Sequence, residues 1–279
     1  MVNERQPLIN YLKVQDKTDR EMLRMLRQLD SEIASELRGF VSRVGPGAQV
    51  RAAQLRGVQR EIRSTLADFY RQTGRVVQAG RMDASKAAVD TLFDYSNVLR
   101  RAGLSPAEIQ VMRRSAEQTA KVGLQHAMQR YTTSKIPLSQ QVYRTSALTN
   151  GMLDRRISMN IARGSSAREF AADIRSFVNP RTRGGVRYAS MRLARTELNN
   201  AFHASSISTA VESDWVEGVK WNLSRSHPKA DECDSLAQSK PFPPKSVPSK
   251  PHPQCLCYLT FEIMDEAQFQ ALVKAGKYD

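Results

Sequence analysis

A mainly α-helical fold is what this sequence predicts: a long, basic helical region over residues 1–135, followed at 136–279 by a module that ends in a small α+β portion with a Cys/His knuckle. Three observations predict it. Apolar residues recur at three- and four-residue steps almost without interruption to about residue 213. Strand propensity appears only after that, in two short runs. Every cysteine and two of the four histidines fall in one 31-residue window near the C-terminus.

Met22, Leu26, Leu29, Ile33, Leu37 and Phe40 step by 4, 3, 4, 4 and 3, which places them on one stripe of a helix. Asp16 or Thr18 is positioned to cap it, and Gly45-Pro46-Gly47 ends the segment. Leu55, Val58, Ile62, Leu66 and Phe69 predict a second helix, and Val89, Leu92, Tyr95 and Leu99 a third that Gly103 stops. Ser105-Pro106-Ala107-Glu108 combines an N-cap, a proline at the first helical position and a capping-box glutamate ahead of Ile109, Met112, Ala116 and Ala120. After Pro137 shorter helices are expected. Ser166 and Glu169 form a second capping box leading Phe170, Ile174 and Phe177, and Asn179-Pro180 terminates that helix. A long helix is predicted over 186–211, with Tyr188, Met191, Ala194, Leu198 and Ala201 inward. Strands are predicted at 218–223 and 257–261. The six prolines of residues 240–253 make the stretch between them an irregular loop that needs an anchor.

The longest apolar runs are a few residues, far short of the ~20 that a membrane span requires. The chain opens Met-Val-Asn-Glu without an apolar signal segment, so a soluble, intracellular-type protein with reduced thiols and no membrane partner is expected. The formal charge of +14 is lopsided: residues 214–279 carry 8 Lys+Arg against 9 Asp+Glu, and the first 213 carry 34 against 19. Such a body attracts phosphate or an acidic protein surface, or is simply a set of solvated helix faces. Only 7% of residues are aromatic and none interleave a basic run, so base stacking on single strands is not expected.

The Cys/His window reads His227-Pro-Lys-Ala-Asp-Glu-Cys233 at one end and His252-Pro-Gln-Cys255-Leu-Cys257 at the other. Thiolates and imidazoles from two short knuckles are what a tetrahedral Zn²⁺ site uses. His227, Cys233, His252 and Cys255 supply four ligands, with Cys257 as a spare or a substitute. A disulfide is the competing reading, and unligated thiols with surface histidines another. Three cysteines leave one unpaired, and a bond between Cys255 and Cys257 would be strained.

Arg195-Thr196-Glu197-Leu198-Asn199-Asn200-Ala201 on a helix, then the Trp221 strand, Cys233 and Pro-His252-Pro-x-Cys255-x-Cys257, resembles the Mu F-like minor head proteins (head-morphogenesis proteins) of tailed phages over about residues 150–262. That family commonly has two cysteines spaced by two in its first knuckle. Here Cys233 matches the second, Ala230 stands in place of the first, and His227 is the available replacement. The resemblance implies a non-enzymatic minor capsid component that acts in procapsid assembly and associates with the portal and other capsid or scaffold proteins. It further implies residence inside the capsid near packaged double-stranded DNA, after assembly in the host cytoplasm.

For Arg195, Thr196 and Glu197 the expected role is structural: a buried Arg–Glu pairing that locks the helix against the strands. Two enzyme readings compete. ADP-ribosyltransfer would use a Glu-x-Glu pair, which is absent from the chain, and Ser205–Thr209 lies in predicted helix rather than on a strand. An HNH-like nuclease with a structural zinc would need a further histidine downstream, and none follows His252. A plain DNA-binding accessory protein remains the main alternative. Asp231 and Asp234 beside Cys233 read as solvated loop acids.

Overall fold

The structure is a computed structural model that describes residues 5–101, 103–132, 136–181, 185–225 and 230–276. Helix accounts for 75% of the described residues, which makes the protein mainly helical as expected. The order is α1 (Gln6–Val44), α2 (Ala52–Phe93), α3 (Asn97–Arg101), α4 (Pro106–Tyr131), α5 (Leu138–Arg163), α6 (Ala167–Val178), α7 (Gly185–Glu212), β1 (Val216–Asn222), α8 (Glu232–Gln238), β2 (Tyr258–Ile263) and α9 (Glu266–Lys274). Among the described residues no helix is long and apolar enough to cross a membrane.

Both capping boxes form: the Ser105 hydroxyl accepts from the Glu108 N–H and the Ser166 hydroxyl from the Glu169 N–H, each glutamate returning to the serine N–H at 2.7 Å. Elsewhere the helices are longer than expected. α1 starts well before Asp16 because Tyr11 and Thr18, both buried, carry the stripe back from Met22. The expected second and third helices are one, α2, since the small buried residues Thr73, Ala84, Ser85 and Ala88 continue its inner face where large apolar residues are missing. The break falls after Phe93, and Tyr95 lies in the turn with its ring edge-on to Phe261 at 5.9 Å. α5 is one helix of 26 residues that closes on Gly164 in the left-handed region, φ 65°. α8 and α9 were not expected.

Two compact units divide the chain, and residues from before and after position 135 contribute to each. One comprises Lys17–Gln78 and Ile136–Ala194. Its buried side chains include Leu26, Ile33, Leu55, Ile62, Leu66 and Phe170, and Phe40 meets Phe170 edge-on at 5.5 Å. Inside it the Tyr70 and Thr149 hydroxyls share a 2.6 Å hydrogen bond, and burial pushes the Tyr70 phenol up to about 12.

The other unit comprises Met1–Asp16, Ala79–Lys135 and Arg195–Asp279. Here β1 and β2 pair antiparallel, with Val219 opposite Phe261 and Trp221 opposite Leu259, and a bulge between Val216 and Gly218. The free edge of β1 takes one more partner: Val219 and Phe242 exchange two backbone hydrogen bonds of 2.8 Å, which pins the start of the proline-rich loop. Trp215 and Trp221 are fully buried, and Phe93 meets Trp215 edge-on at 6.0 Å. The Cys/His cluster lies in this unit.

Candidate metal centre

Two local structures deliver the ligands. Asp231 caps α8, its Oδ1 accepting the Cys233 N–H at 2.7 Å while Asp234 Oδ2 accepts the Asp231 N–H at 2.8 Å. The two acids expected to be solvated are therefore the capping box that fixes Cys233 on the first turn of α8. On the other side the turn His252-Pro253-Gln254-Cys255 places Gln254 in the left-handed region, φ 58°. For a residue with a Cβ this costs roughly 1–2 kcal/mol. The turn folds the two ligands of this knuckle onto one cluster.

Cys233 Sγ stands 3.5 Å from Cys255 Sγ and 3.7 Å from His252 Nε2, and the three donor atoms lie within 4.8 Å of one another. A regular tetrahedron with Zn–S of about 2.3 Å and Zn–N of about 2.0–2.1 Å has edges of roughly 3.8 Å (S···S) and 3.5 Å (S···N). The two edges from Cys233 agree to a few tenths of an ångström, so this group can bind a metal ion. His252 Nδ1 faces the Pro253 carbonyl at 3.1 Å. A proton on Nδ1 donated to that oxygen leaves the Nε2 lone pair for the ion. Asp231 Oδ2 also approaches Nε2, at 3.2 Å.

Of the expected ligands, Cys233, His252 and Cys255 come together. His227 lies outside the described residues. Cys257 is buried but does not join that group of mutually close donor atoms; its backbone carbonyl accepts from Lys250 Nζ. All three cysteines are free thiols, so the disulfide reading does not apply.

The cluster's electrostatics are asymmetric. The hydrogen bond from Cys257, with the Lys250 ammonium nearby, holds Cys255 down to about 5 against its burial. Burial and then the neighbouring Cys255 push Cys233 up to about 12. The Cys257 thiol is also pushed up, by its hydrogen bond to Cys255 and by burial. A metal ion bound here would displace the thiol protons of the cysteines that hold it.

Lys250 and His203 are functional-site neighbours that sequence reasoning missed. Lys250 is 3% exposed, with Nζ 3.9 Å from Cys255 Sγ and 5.4 Å from the centre of the Trp221 ring. Burial pushes its pKa down, and Cys255, Cys257 and Cys233 push it back up. His203, on α7, is edge-on to Trp221 at 5.3 Å, and its Nε2–H donates to the Pro248 carbonyl at 2.9 Å. Burial, then the Lys250 charge, lowers His203 to about 3, so it is neutral. The proline-rich loop is therefore held at Phe242, Pro248 and Lys250 as well as at its knuckle. The only sequence signal for Lys250 is a cation two residues before a candidate ligand.

In the Arg-Thr-Glu helix segment Glu197 is buried in an ion pair as expected, but with a different partner. Glu197 is 1% exposed and pairs at 3.9 Å with Arg81 of α2, itself 3% exposed. Arg81 also donates to Gln125 Oε1 at 3.3 Å and points its guanidinium at Met128 Sδ. The lock is against α2 rather than the strands. Arg195 is half-buried, and its carbonyl accepts from the Tyr11 hydroxyl at 3.4 Å. Ser205–Thr209 lies within α7.

No family model, curated protein or solved structure matches this chain.

Proposed function

We propose that this chain is a minor capsid protein of the Mu F-like, head-morphogenesis type, non-enzymatic, with Zn²⁺ as the structural ion of the Cys233/His252/Cys255 centre. The observation that carries the reading is the pairing of its two most specific sequence features in one compact unit: the buried Glu197 helix and a His-Pro-x-Cys knuckle closed onto Cys233. Two thiols and an imidazole at tetrahedral spacing favour Zn²⁺ over the oxygen-seeking Mg²⁺ and Ca²⁺. A short two-stranded sheet with a long proline-rich loop has little core of its own, so a metal staple there contributes folding free energy. The role is assembly: contact with portal and with capsid or scaffold proteins in the procapsid, inside the capsid of the finished virion.

The positive charge concentrated before residue 214 favours a second reading, a DNA-binding accessory protein whose metal centre only holds the fold. Salt separates the two. Co-expression with the portal protein of the same phage, followed by affinity capture across a salt series, is expected to give a complex that survives high salt, as apolar helix docking does. Absence of that complex, with duplex-DNA binding that falls steeply as salt rises, would overturn the assembly reading. Metal analysis of the same preparation is expected to give about one zinc per chain, lost on Cys233→Ser.

A further inference from the structure

We propose that the groove between α1 and α6 is a docking site for an amphipathic helix of a partner protein, one with apolar side chains on its inner face and carboxylates flanking them. The groove lies within the compact unit of Lys17–Gln78 and Ile136–Ala194, so the proposal does not depend on the metal centre.

The way the two helices are joined makes the groove. In the turn after α1, the Pro46 carbonyl accepts from the Arg168 N–H at 3.2 Å and the Ala48 carbonyl from the Ala167 N–H at 2.9 Å, so α6 starts where α1 stops. From that junction α1 runs back through Val41 and Leu37, and α6 runs forward through Ala171 and Ala172. Phe40 packs edge-on against Phe170 beneath them. The alanines leave room between the helices, and the resulting groove has a volume of about 510 Å³. Its floor includes the buried Leu37 and the half-buried Val41. Pro46 lines the junction end, and Arg38 and Arg175 line the groove about two turns away from it.

Charge selects the occupant. Arg38 and Arg175 are exposed, and among the described residues neither pairs with a carboxylate. The acids nearest to them on their own helices are already engaged. Glu169 closes the Ser166 capping box and Asp173 pairs with Arg156, while on α1 Glu32 accepts from Gln28 and Glu36 from Thr65. A guanidinium presents a planar fork of donors that a carboxylate matches with two hydrogen bonds. An apolar groove walled by small residues takes the i, i+3, i+4 and i+7 anchors of a helix. A second copy of this chain would bring one strongly basic body against another. Duplex DNA would satisfy the arginines but leave Leu37 and Val41 facing a charged backbone, and no aromatic residue lines the groove for base stacking.

The test uses the full chain and a fluorescently labelled synthetic helix of about four turns, read by fluorescence anisotropy. The peptide carries leucines at i, i+3, i+4 and i+7 with glutamates on both sides of that face, and a matched peptide carries lysines in their place. Wild-type protein is expected to bind the glutamate peptide and not the lysine one. Arg38→Glu combined with Arg175→Glu is expected to weaken the glutamate peptide about 10-fold or more and to gain the lysine peptide, an exchange that a misfolded protein would not produce. Ala172→Phe, at an exposed position, fills the groove and is expected to weaken the glutamate peptide as well. Failure to bind the glutamate peptide, equal binding of the two peptides, or undiminished binding in the double variant overturns the proposal. A short DNA duplex that displaces the peptide from the wild type, and is itself lost in the double variant, would make this a phosphate-binding surface and overturn it too.

Discussion

Removing one partner of the Arg81–Glu197 pair tests how this helical unit is held together. Both side chains are essentially buried and 3.9 Å apart. Burial lowers the Arg81 pKa and Glu197 raises it back. Arg81→Met leaves a carboxylate in the core without its cation, which costs about 3–5 kcal/mol. Glu197→Leu takes the carboxylate away from a buried guanidinium and costs a similar amount. The double variant removes both charges and replaces them with apolar volume. It should therefore be far less destabilised than the sum of the singles, with a coupling of about 2 kcal/mol or more. The assay is urea unfolding of the four proteins, followed by near-ultraviolet circular dichroism of the buried Trp215 and Trp221, which report on this unit. Additive losses, or singles costing less than about 1 kcal/mol, would refute the claim that the pair is desolvated and mutually dependent.

The pH dependence of stability should carry the signature of His203. Its pKa falls from 6.5 in the unfolded chain to about 3 in the fold, so its contribution is fully present above pH 6.5 and is lost as pH falls from there towards 3. His203→Gln retains a donor for the Pro248 carbonyl and should show a flatter melting-temperature profile across that window; an unchanged slope would remove His203 as the cause. Gly185→Ala should destabilise the other compact unit by about 1–3 kcal/mol. Residue 185 sits at φ 58°, and a Cβ there would run into the Phe177 carbonyl oxygen, so a neutral substitution in a denaturant titration would show that this turn is wrongly described.

What was legible in the sequence follows from the range of the forces involved. Ser105 with Glu108 and Ser166 with Glu169 are satisfied within four residues, so the chain announces those helix starts, and the structure forms both boxes. The 186–211 helix is recovered as Gly185–Glu212 by the same local logic. α2 was not legible as one helix because between Phe69 and Val89 its inner face is built largely from small residues, which periodicity in large apolar residues does not register. Tyr188, expected inward, is 54% exposed. Asp231 and Asp234 looked like loop acids because a seven-residue helix is too short to show a period, and their capping role emerges only with the helix.

The site divides along the same line. The Cys/His grouping was legible because thiols and imidazoles at short spacings are recorded in the chain itself, and the structure brings Cys233, His252 and Cys255 together. The charges that stabilise the surrounding core were not, because nothing local distinguishes Arg81 or Lys250 from forty other basic residues. Arg81 is chosen by a carboxylate more than a hundred positions away, and Lys250 by sulfur atoms that the chain assembles only after α8 and the His252 turn have formed. In each case a cation is buried where an acidic group has already been committed by helix packing or by the knuckle.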